Sequence, residues 1–360
     1  MNIMESTAAY EKWLSAELGD ELVKTDVATK HEKMAEAPFP FLRATYWRWA
    51  ETILDLCPDL AKAPQVLAVG DIHLENYGTW RDADGRLIWG VNDFDEAAEM
   101  PYPLDLVRLG ISAMLGCPHL DTATDIATNI LRGYGRGLED PHPIVLDHDY
   151  AWLRKLVNVP NREREHFWQK MGALKPPVTP PARYVRAIAD GMPEPRGKTT
   201  YTRRTAGAGS LGRPRFVGTM SWHGAPILRE AKAALPSAWT RVKGRGAQTL
   251  RCYEIATGAH RAPDPWYALT DDVIVRRLSP NNRKLDAETH PLELIDKRML
   301  RLMARDLAAI HLGLVDKSKA INDDLAKRKE GWLANAIKHA AAFVREEHRV
   351  WRKKSMKKAA

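Results

Sequence analysis

Between Val69 and Leu106 the chain reads VGDIHLENYGTWRDADGRLIWGVNDFDEAAEMPYPLDL, and this stretch limits the available folds more than any other. Asp71, His73, Glu75 and Asn76 crowd into one short turn-like segment. Asp84–Gly85 is a turn dipeptide, and Leu87, Ile88, Trp89 and Val91 form the return strand of a hairpin. That strand ends on Asn92, Asp93 and Asp95. A short β excursion therefore carries two clusters of hard oxygen ligands toward one another, as a site for a metal ion and phosphate requires. Pro101 and Pro103 then break the chain before LDLVRLGISAML, an apolar helix.

The hairpin is set among helices. Apolar spacing predicts helices over residues 7–23, Phe41–Leu56, Asp121–Leu138, Tyr150–Val157 and Arg162–Met171. From Lys175 to Gly197 six prolines punctuate the chain around a short helix, which reads as a linker. Beyond it Phe216, Val217, Met220 and Trp222 precede a His223–Gly224 turn and a second strand at Ile227 and Leu228. A helix around Ala247–Thr257 and the strand DDVIVRRL follow, and from Pro291 onward the pattern is helical again. The expected class is α+β: a helical lobe with the hairpin (1–195), a small antiparallel β lobe (196–284), and helices completing the first lobe (285–360).

Composition narrows the function classes. With 360 residues, 44% apolar and 28% charged, the chain has the balance of an ordinary globular protein. No run has the unbroken apolar length of a membrane span. The acidic, helix-patterned start lacks the basic and apolar regions of a secretory signal, and three scattered cysteines fit neither a zinc set nor a disulfide framework. A cytoplasmic protein is expected. Of the net charge of +8, +5 lies between Arg345 and Ala360, which reads as a solvated helix end rather than a nucleic-acid surface.

Asp71 and Asn76 have the spacing D-x-x-x-x-N. In phosphoryl transfer such an Asp accepts the proton of the acceptor hydroxyl, and the Asn turns back to hold a metal ion. Asp93-Phe94-Asp95 follows the hairpin, where a second metal-binding carboxylate is needed.

GDIHLENYG, then VNDFDEA, then PYPLDL resemble the aminoglycoside-phosphotransferase and choline-kinase branch of the protein-kinase-like fold. The resemblance implies Asp71 as catalytic base, with His73 beside it in the same catalytic turn. It implies Asn76 and Asp93 as magnesium ligands and Asp105 as the buttress of the turn. Val69 stands where that branch has its first His. Asp95 stands where it has Gly, so either Asp93 or Asp95 is the main ligand. More closely, the chain resembles a bacterial family known only as domain of unknown function 2252. The segments that carry this likeness are Phe41-Leu42-Arg43, Gly70 to Gly78, Asn92 to Glu96, and Asp105 to Leu109.

Gly207, Gly209 and Gly212 form G-x-G-x-x-G, with Ser210 inside it. A dinucleotide fold needs a helix after this motif. RPRFV follows here, so a glycine-rich loop between two strands, draped over nucleotide phosphates, fits better. Lys232 falls where a kinase-like fold places the lysine that holds those phosphates. Glu254 is its expected acidic partner, with Glu230 as the alternative, and the backbone of Arg277 to Ser279 is placed to meet an adenine. Asp71 precedes Gly207, the reverse of the usual kinase order, so the expected fold is a circularly permuted two-lobed kinase. The implied activity is ATP- and Mg2+-dependent phosphoryl transfer to a hydroxyl acceptor, which the sequence does not name. The alternatives are a nucleotide-binding pseudokinase or regulatory module, and a metal-dependent phosphohydrolase. The latter lacks the downstream G-D-x-x-D and N-H-[DE] segments.

Overall fold

The computed structural model describes residues 1–174, 177–244 and 249–359, with side chains through Ser355. Lys175 and Pro176 of the expected linker, and Ala247 at the start of an expected helix, lie outside the described residues.

The N-terminal helices are α1 (Ile3–Leu18), α2 (Lys24–Glu36), α3 (Pro38–Ala44) and α4 (Tyr46–Leu56). Asn2 and Glu5 close a capping box on α1. The single helix expected over Phe41–Leu56 is two. Thr45 leaves helical geometry (φ −123°, ψ 41°), and its hydroxyl donates back to Phe41 O at 2.7 Å. Helix α2 has no counterpart in the apolar pattern, because its buried stripe is Asp26, Lys30 and Met34, two charged residues and one apolar.

Strand β1 (Gln65–Ala68) enters the catalytic-looking turn. It pairs antiparallel with β4 (Ala98–Pro101), and between them stands the hairpin of β2 (Tyr77–Arg81) and β3 (Leu87–Val91). Gly85 closes that hairpin at φ 78°, as the Asp84–Gly85 dipeptide predicts. Then come α5 (Pro103–Gly116), α6 (Ala123–Glu139), β5 (Ile144–Val145) on the outer edge of β3, α7 (Ala151–Leu156), α8 (Asn161–Gly172) and α9 (Ala182–Asp190). The expected linker is not free chain: α9 buries Tyr184, Ala187 and Ile188, an i, i+3, i+4 face laid on the neighbouring sheet.

That sheet is antiparallel and five-stranded: β6 (Thr199–Arg203), β7 (Arg215–Trp222), β8 (Ala225–Ala233), β9 (Ala268–Thr270) and β10 (Val273–Leu278), in the order β6-β7-β8-β10-β9. Between β8 and β9 lie α10 (Ala238–Lys243) and α11 (Cys252–Ala256), the latter shorter than expected. The chain closes with α12 (Pro291–Ile295), α13 (Lys297–His311), α14 (Ser318–Lys327) and α15 (Trp332–Ala359). One contiguous buried cluster runs from Ile3 on α1 to Trp351 on α15 and includes Phe216, Ala231 and Val275 of the sheet. Among the described residues no helix is long and apolar enough to cross a membrane.

Candidate functional site

The turn after β1 is held from beneath by one buried carboxylate. Asp105, on the first turn of α5 and fully buried, accepts the backbone N–H of Val69 at 2.8 Å and of Gly70 at 3.0 Å. His311, 206 residues further on at the end of α13, meets the same carboxylate through Nε2 at 3.0 Å. An imidazole from another helix thus supports a turn whose own first position is Val69. Gly70 is required where it stands: its φ is 81°, and a Cβ would lie 2.4 Å from Glu96 O and 2.7 Å from Tyr46 Oη. Ser112 Oγ accepts Leu74 N–H at 3.0 Å.

This support aims the turn's polar groups. Asp71 Oδ1 is gripped by the fully buried Arg108, whose Nε donates at 3.1 Å, while Oδ2 has no partner there. Asn76 Nδ2 donates to Asp71 O at 2.6 Å, which fixes its amide and leaves Oδ1 available. His73 accepts Glu75 N–H at Nδ1, 3.1 Å away. Its burial, with Arg43 and Arg108 near, holds its pKa well below 6.5, so the ring is neutral.

Strand β3 delivers the second cluster. Val91 N–H donates to Asp306 Oδ2 of α13 at 2.8 Å, and Arg261 bridges Asp306 (2.7 Å) and Val91 O (2.6 Å). Asn92 N–H then donates to Asn76 O at 3.1 Å, locking the two clusters together. Lys232 of β8 grips both oxygens of Asp95 and lies 3.7 Å from Asp93 Oδ1, a contact spanning 137 residues. Asp93 keeps a side chain 38% exposed. Burial would raise its pKa, but Lys232, Lys284, Arg276 and Arg215 outweigh it and hold the carboxyl well below its usual range.

The glycine-rich segment is a loop joining β6 to β7, with no helix after it, as the sequence predicts. It lies directly over the turn: a Cβ on Gly209 would sit 3.2 Å from both Asp71 Oδ2 and Arg43 O. Behind it, Arg204, Arg215 and Arg276 converge on the buried Glu230, with Arg215 at 2.5 Å and Arg276 at 2.7 Å. Burial raises the Glu230 pKa, yet the three guanidinium groups overcome it and keep the residue ionised. One carboxylate against three arginines leaves this wall of the sheet positive.

Together these elements enclose a cavity of about 460 Å³. Asp71, His73, Asn76, Asp93, Asp95, Gly207, Gly209 and Ser210 line it, as do Arg277, Leu278 and Ser279. Lys232 enters through its grip on Asp95. Gly212 stands away from it, against Leu14 and Val27 of the N-terminal helices. Glu254 is not brought to Lys232: it is half-exposed on α11 and pairs with Arg251 at 2.8 Å, while Asp95 takes the place expected for it. The alternative, Glu230, is occupied by its arginines. Among the described residues no three His, Cys, Asp or Glu side chains cluster to hold a metal ion. The oxygen set facing the cavity is Asn76 Oδ1 with the Asp93 carboxylate, and Asn92 Oδ1 stands buried without a partner beside them.

Burial pushes the Asp71 pKa up to about 6, against the pull of Arg108. A carboxylate so placed can take a proton near neutral pH.

Two functional-looking residues, Lys30 and Arg213, carry no signal in the sequence, and their neighbour Glu96 is marked only as the end of the NDFDE segment. Lys30 of α2, 3% exposed, donates to Gly209 O at 3.0 Å, and its burial, with Arg213 next, lowers its pKa to about 7. Arg213 joins the end of the glycine loop to Glu96 at 3.1 Å, and Glu96 in turn accepts Ala238 N–H at 2.6 Å. Each contact links segments more than a hundred residues apart, so no local spacing marks them.

Residues 22–140, about a third of the chain, match the model of a family described as an uncharacterized protein conserved in bacteria (DUF2252). The match covers the Phe41–Arg43, Gly70–Gly78, Asn92–Glu96 and Asp105–Leu109 segments. No curated protein and no solved structure matches the chain.

Proposed function

We propose that the chain is an ATP- and Mg2+-dependent phosphotransferase of two-lobed, kinase-like architecture with its motif order permuted, acting on a hydroxyl acceptor. The observation that carries this reading is the contact of Lys232 with Asp95 and Asp93 beneath the loop Gly207–Gly212. Five-stranded sheet, glycine loop and carboxylate turn, far apart in the chain, face one cavity.

The residues present suit the metal. Magnesium is held through one or two protein oxygens, with substrate phosphates and water completing its shell, and here Asp93 and Asn76 Oδ1 would supply them. Asp95 is taken by Lys232, which favours Asp93 as the direct ligand. Bound there, the ion would neutralise charge on the terminal phosphate. The positive wall of Arg204, Arg215 and Arg276 and the amides of the glycine loop bind and orient the phosphates. Arg277 to Ser279 line the cavity where a base would meet backbone.

Asp71 Oδ2 orients the acceptor hydroxyl. As the acceptor oxygen bonds to the terminal phosphorus and the bridging P–O bond breaks, the hydroxyl proton passes to Asp71 and the nucleoside diphosphate leaves. The test is nucleotide binding by thermal shift with and without magnesium, followed by an acceptor screen with labelled nucleotide. Asp93→Ala is expected to lose magnesium-dependent turnover while keeping its fold, since its side chain is 38% exposed. An unchanged magnesium dependence in that variant overturns the reading, and tight nucleotide binding with no transfer to any acceptor favours a regulatory module.

A further inference from the structure

One end of the cavity remains unused by this scheme. Tyr10, Tyr46, Trp47, Glu96, Arg213 and Ala238 line it, none more than 9% exposed. Tyr10 and Trp47 stack at 3.9 Å, and Gly209 and Asp71 stand at its inner edge. Its polar groups do not balance. Among the described residues Tyr46 Oη has no hydrogen-bond partner, nor have Nε and Nη1 of Arg213, whose nearest further carboxylate is Asp95 Oδ2 at 3.7 Å. The Lys30 ammonium, beside the Tyr10 and Trp47 rings, donates among the described residues only to the Gly209 carbonyl. Arg213 pairs with Glu96 at 3.1 Å and stands 3.7 Å from Asp95, which Lys232 already grips, and Lys30 meets no carboxylate within 4 Å among the described residues.

Buried donors without acceptors cost stability, and buried positive charge in excess of negative costs more. Such an arrangement persists where a ligand supplies what is missing. The missing group is an anion with hydrogen-bond acceptor oxygens. The walls are aromatic, so the body it belongs to is compact and partly apolar.

We propose that this recess is the acceptor subsite, and that the acceptor is a small molecule carrying an anionic group, a carboxylate or a phosphate, beside the hydroxyl it presents to Asp71. The assignment rests on the phosphotransferase reading for the word acceptor, but not for the binding of the anion. A Cβ on Gly209 would stand 3.2 Å from Asp71 Oδ2, so the glycine loop leaves little room over Asp71 and lifts as the ligand enters.

The test uses the full chain and three probes: glycolate as a hydroxy-carboxylate, inorganic phosphate, and ethylene glycol as a neutral control. Calorimetry and saturation-transfer NMR are run with and without the non-hydrolysable ATP analogue AMP-PNP and magnesium. Glycolate or phosphate is expected to bind, with the analogue present as well as absent, and ethylene glycol not to bind. Whichever anion binds names the source of the charge. Tyr46→Phe, which keeps the ring, is expected to weaken the anion about threefold to tenfold, and Arg213→Lys about tenfold or more. Tm and circular dichroism verify that each variant is folded, and Lys30→Met, which removes the second cation, gives an independent loss of about tenfold.

Binding of ethylene glycol equal to that of glycolate, displacement of the anion by AMP-PNP, or indifference to all three substitutions overturns the subsite. So does the absence of binding by either anion. Anion binding that depends on Tyr46 in a protein that binds no nucleotide upholds the subsite and sinks the phosphotransferase reading. Nucleotide-dependent transfer to neutral alcohols, with no anion binding, does the reverse.

Discussion

The carboxylate turn and the glycine-rich loop face each other at Asp71 and Gly209, yet they are held in different ways. The turn rests on a saturated buried network: both oxygens of Asp105 are engaged, Ser112 takes the Leu74 amide, and Arg108 grips Asp71. The loop is tied from outside by Lys30 to Gly209 O, Val23 N–H to Gly212 O at 3.0 Å, Thr205 to Asp26 at 3.0 Å, Arg215 to Ser210 at 2.8 Å, and Arg213 to Glu96 at its far end. Its main cation, Lys30, is destabilised by its own burial. One side of the cavity is a fixed reference, and the other is poised to part from it. Chemistry that needs an aligned proton acceptor and an admitted substrate is served by that division.

The contrast is broken most forcefully from the rigid side. Asp105→Ala orphans two amides and the His311 ring at once, and is expected to cost about 3–5 kcal/mol in urea unfolding. Loss comparable to that of a surface carboxylate would mean that the turn is held by something else. Asp71→Asn leaves the support intact and tests the aimed group alone. Nucleotide binding should persist while transfer falls about 10²–10⁴-fold, and undiminished activity rules Asp71 out as base.

The same group sets a pH limit. The Asp71 pKa is raised above its ordinary value, to about 6, so its proton-accepting form is present above that pH and lost below it. Transfer should therefore decline as pH falls through 6, with the slope of a single proton.

Lys30 sharpens the loop side. The Lys30 pKa lies near 7 in the fold, below the ordinary 10.5. Below pH 7 both folded and unfolded chains carry the proton, and its burial penalty is complete. Between 7 and 10.5 the unfolded chain binds the proton more readily, so the penalty fades as pH rises. Relative to Lys30→Met, the unaltered protein should gain stability across that interval by up to about 1.4 kcal/mol per pH unit. Parallel stability curves for the two proteins would show that the ammonium is not under strain. Faster amide exchange over residues 205–213 in the variant would mark the loosened loop.

What the sequence makes legible follows from how local each signal is. Asp84–Gly85 and the alternation around it mark the hairpin because turn and strands are neighbours. The β6–β7 loop is separable from a dinucleotide loop because Pro214 and the β formers after it rule out a helix within a few residues. Asp93 and Asp71 stand out through their spacing. Lys30 does not, because a polar helix with one buried lysine looks like a solvated one until Tyr10 and Trp47 close over it. Asp95 in place of Glu254 as the partner of Lys232 is of the same kind: a sheet and a hairpin meet in space without any trace in either segment. The split at Thr45 and the docking of α9 depend on which neighbours each helix finds, which the apolar spacing of either segment does not show.

The antiparallel bridge between Gly78 and Lys284, with Arg283 N–H on Thr79 Oγ1 at 2.8 Å, joins positions 206 and 204 residues apart. Asp306 on Val91 N–H closes a span of 215. Closing such long loops costs entropy before any contact returns it, so these stitches form late during folding. On the ribosome the carboxylate hairpin emerges early but stays unfastened until α13 has been made. The cavity is therefore assembled last, once α13 has closed on the hairpin.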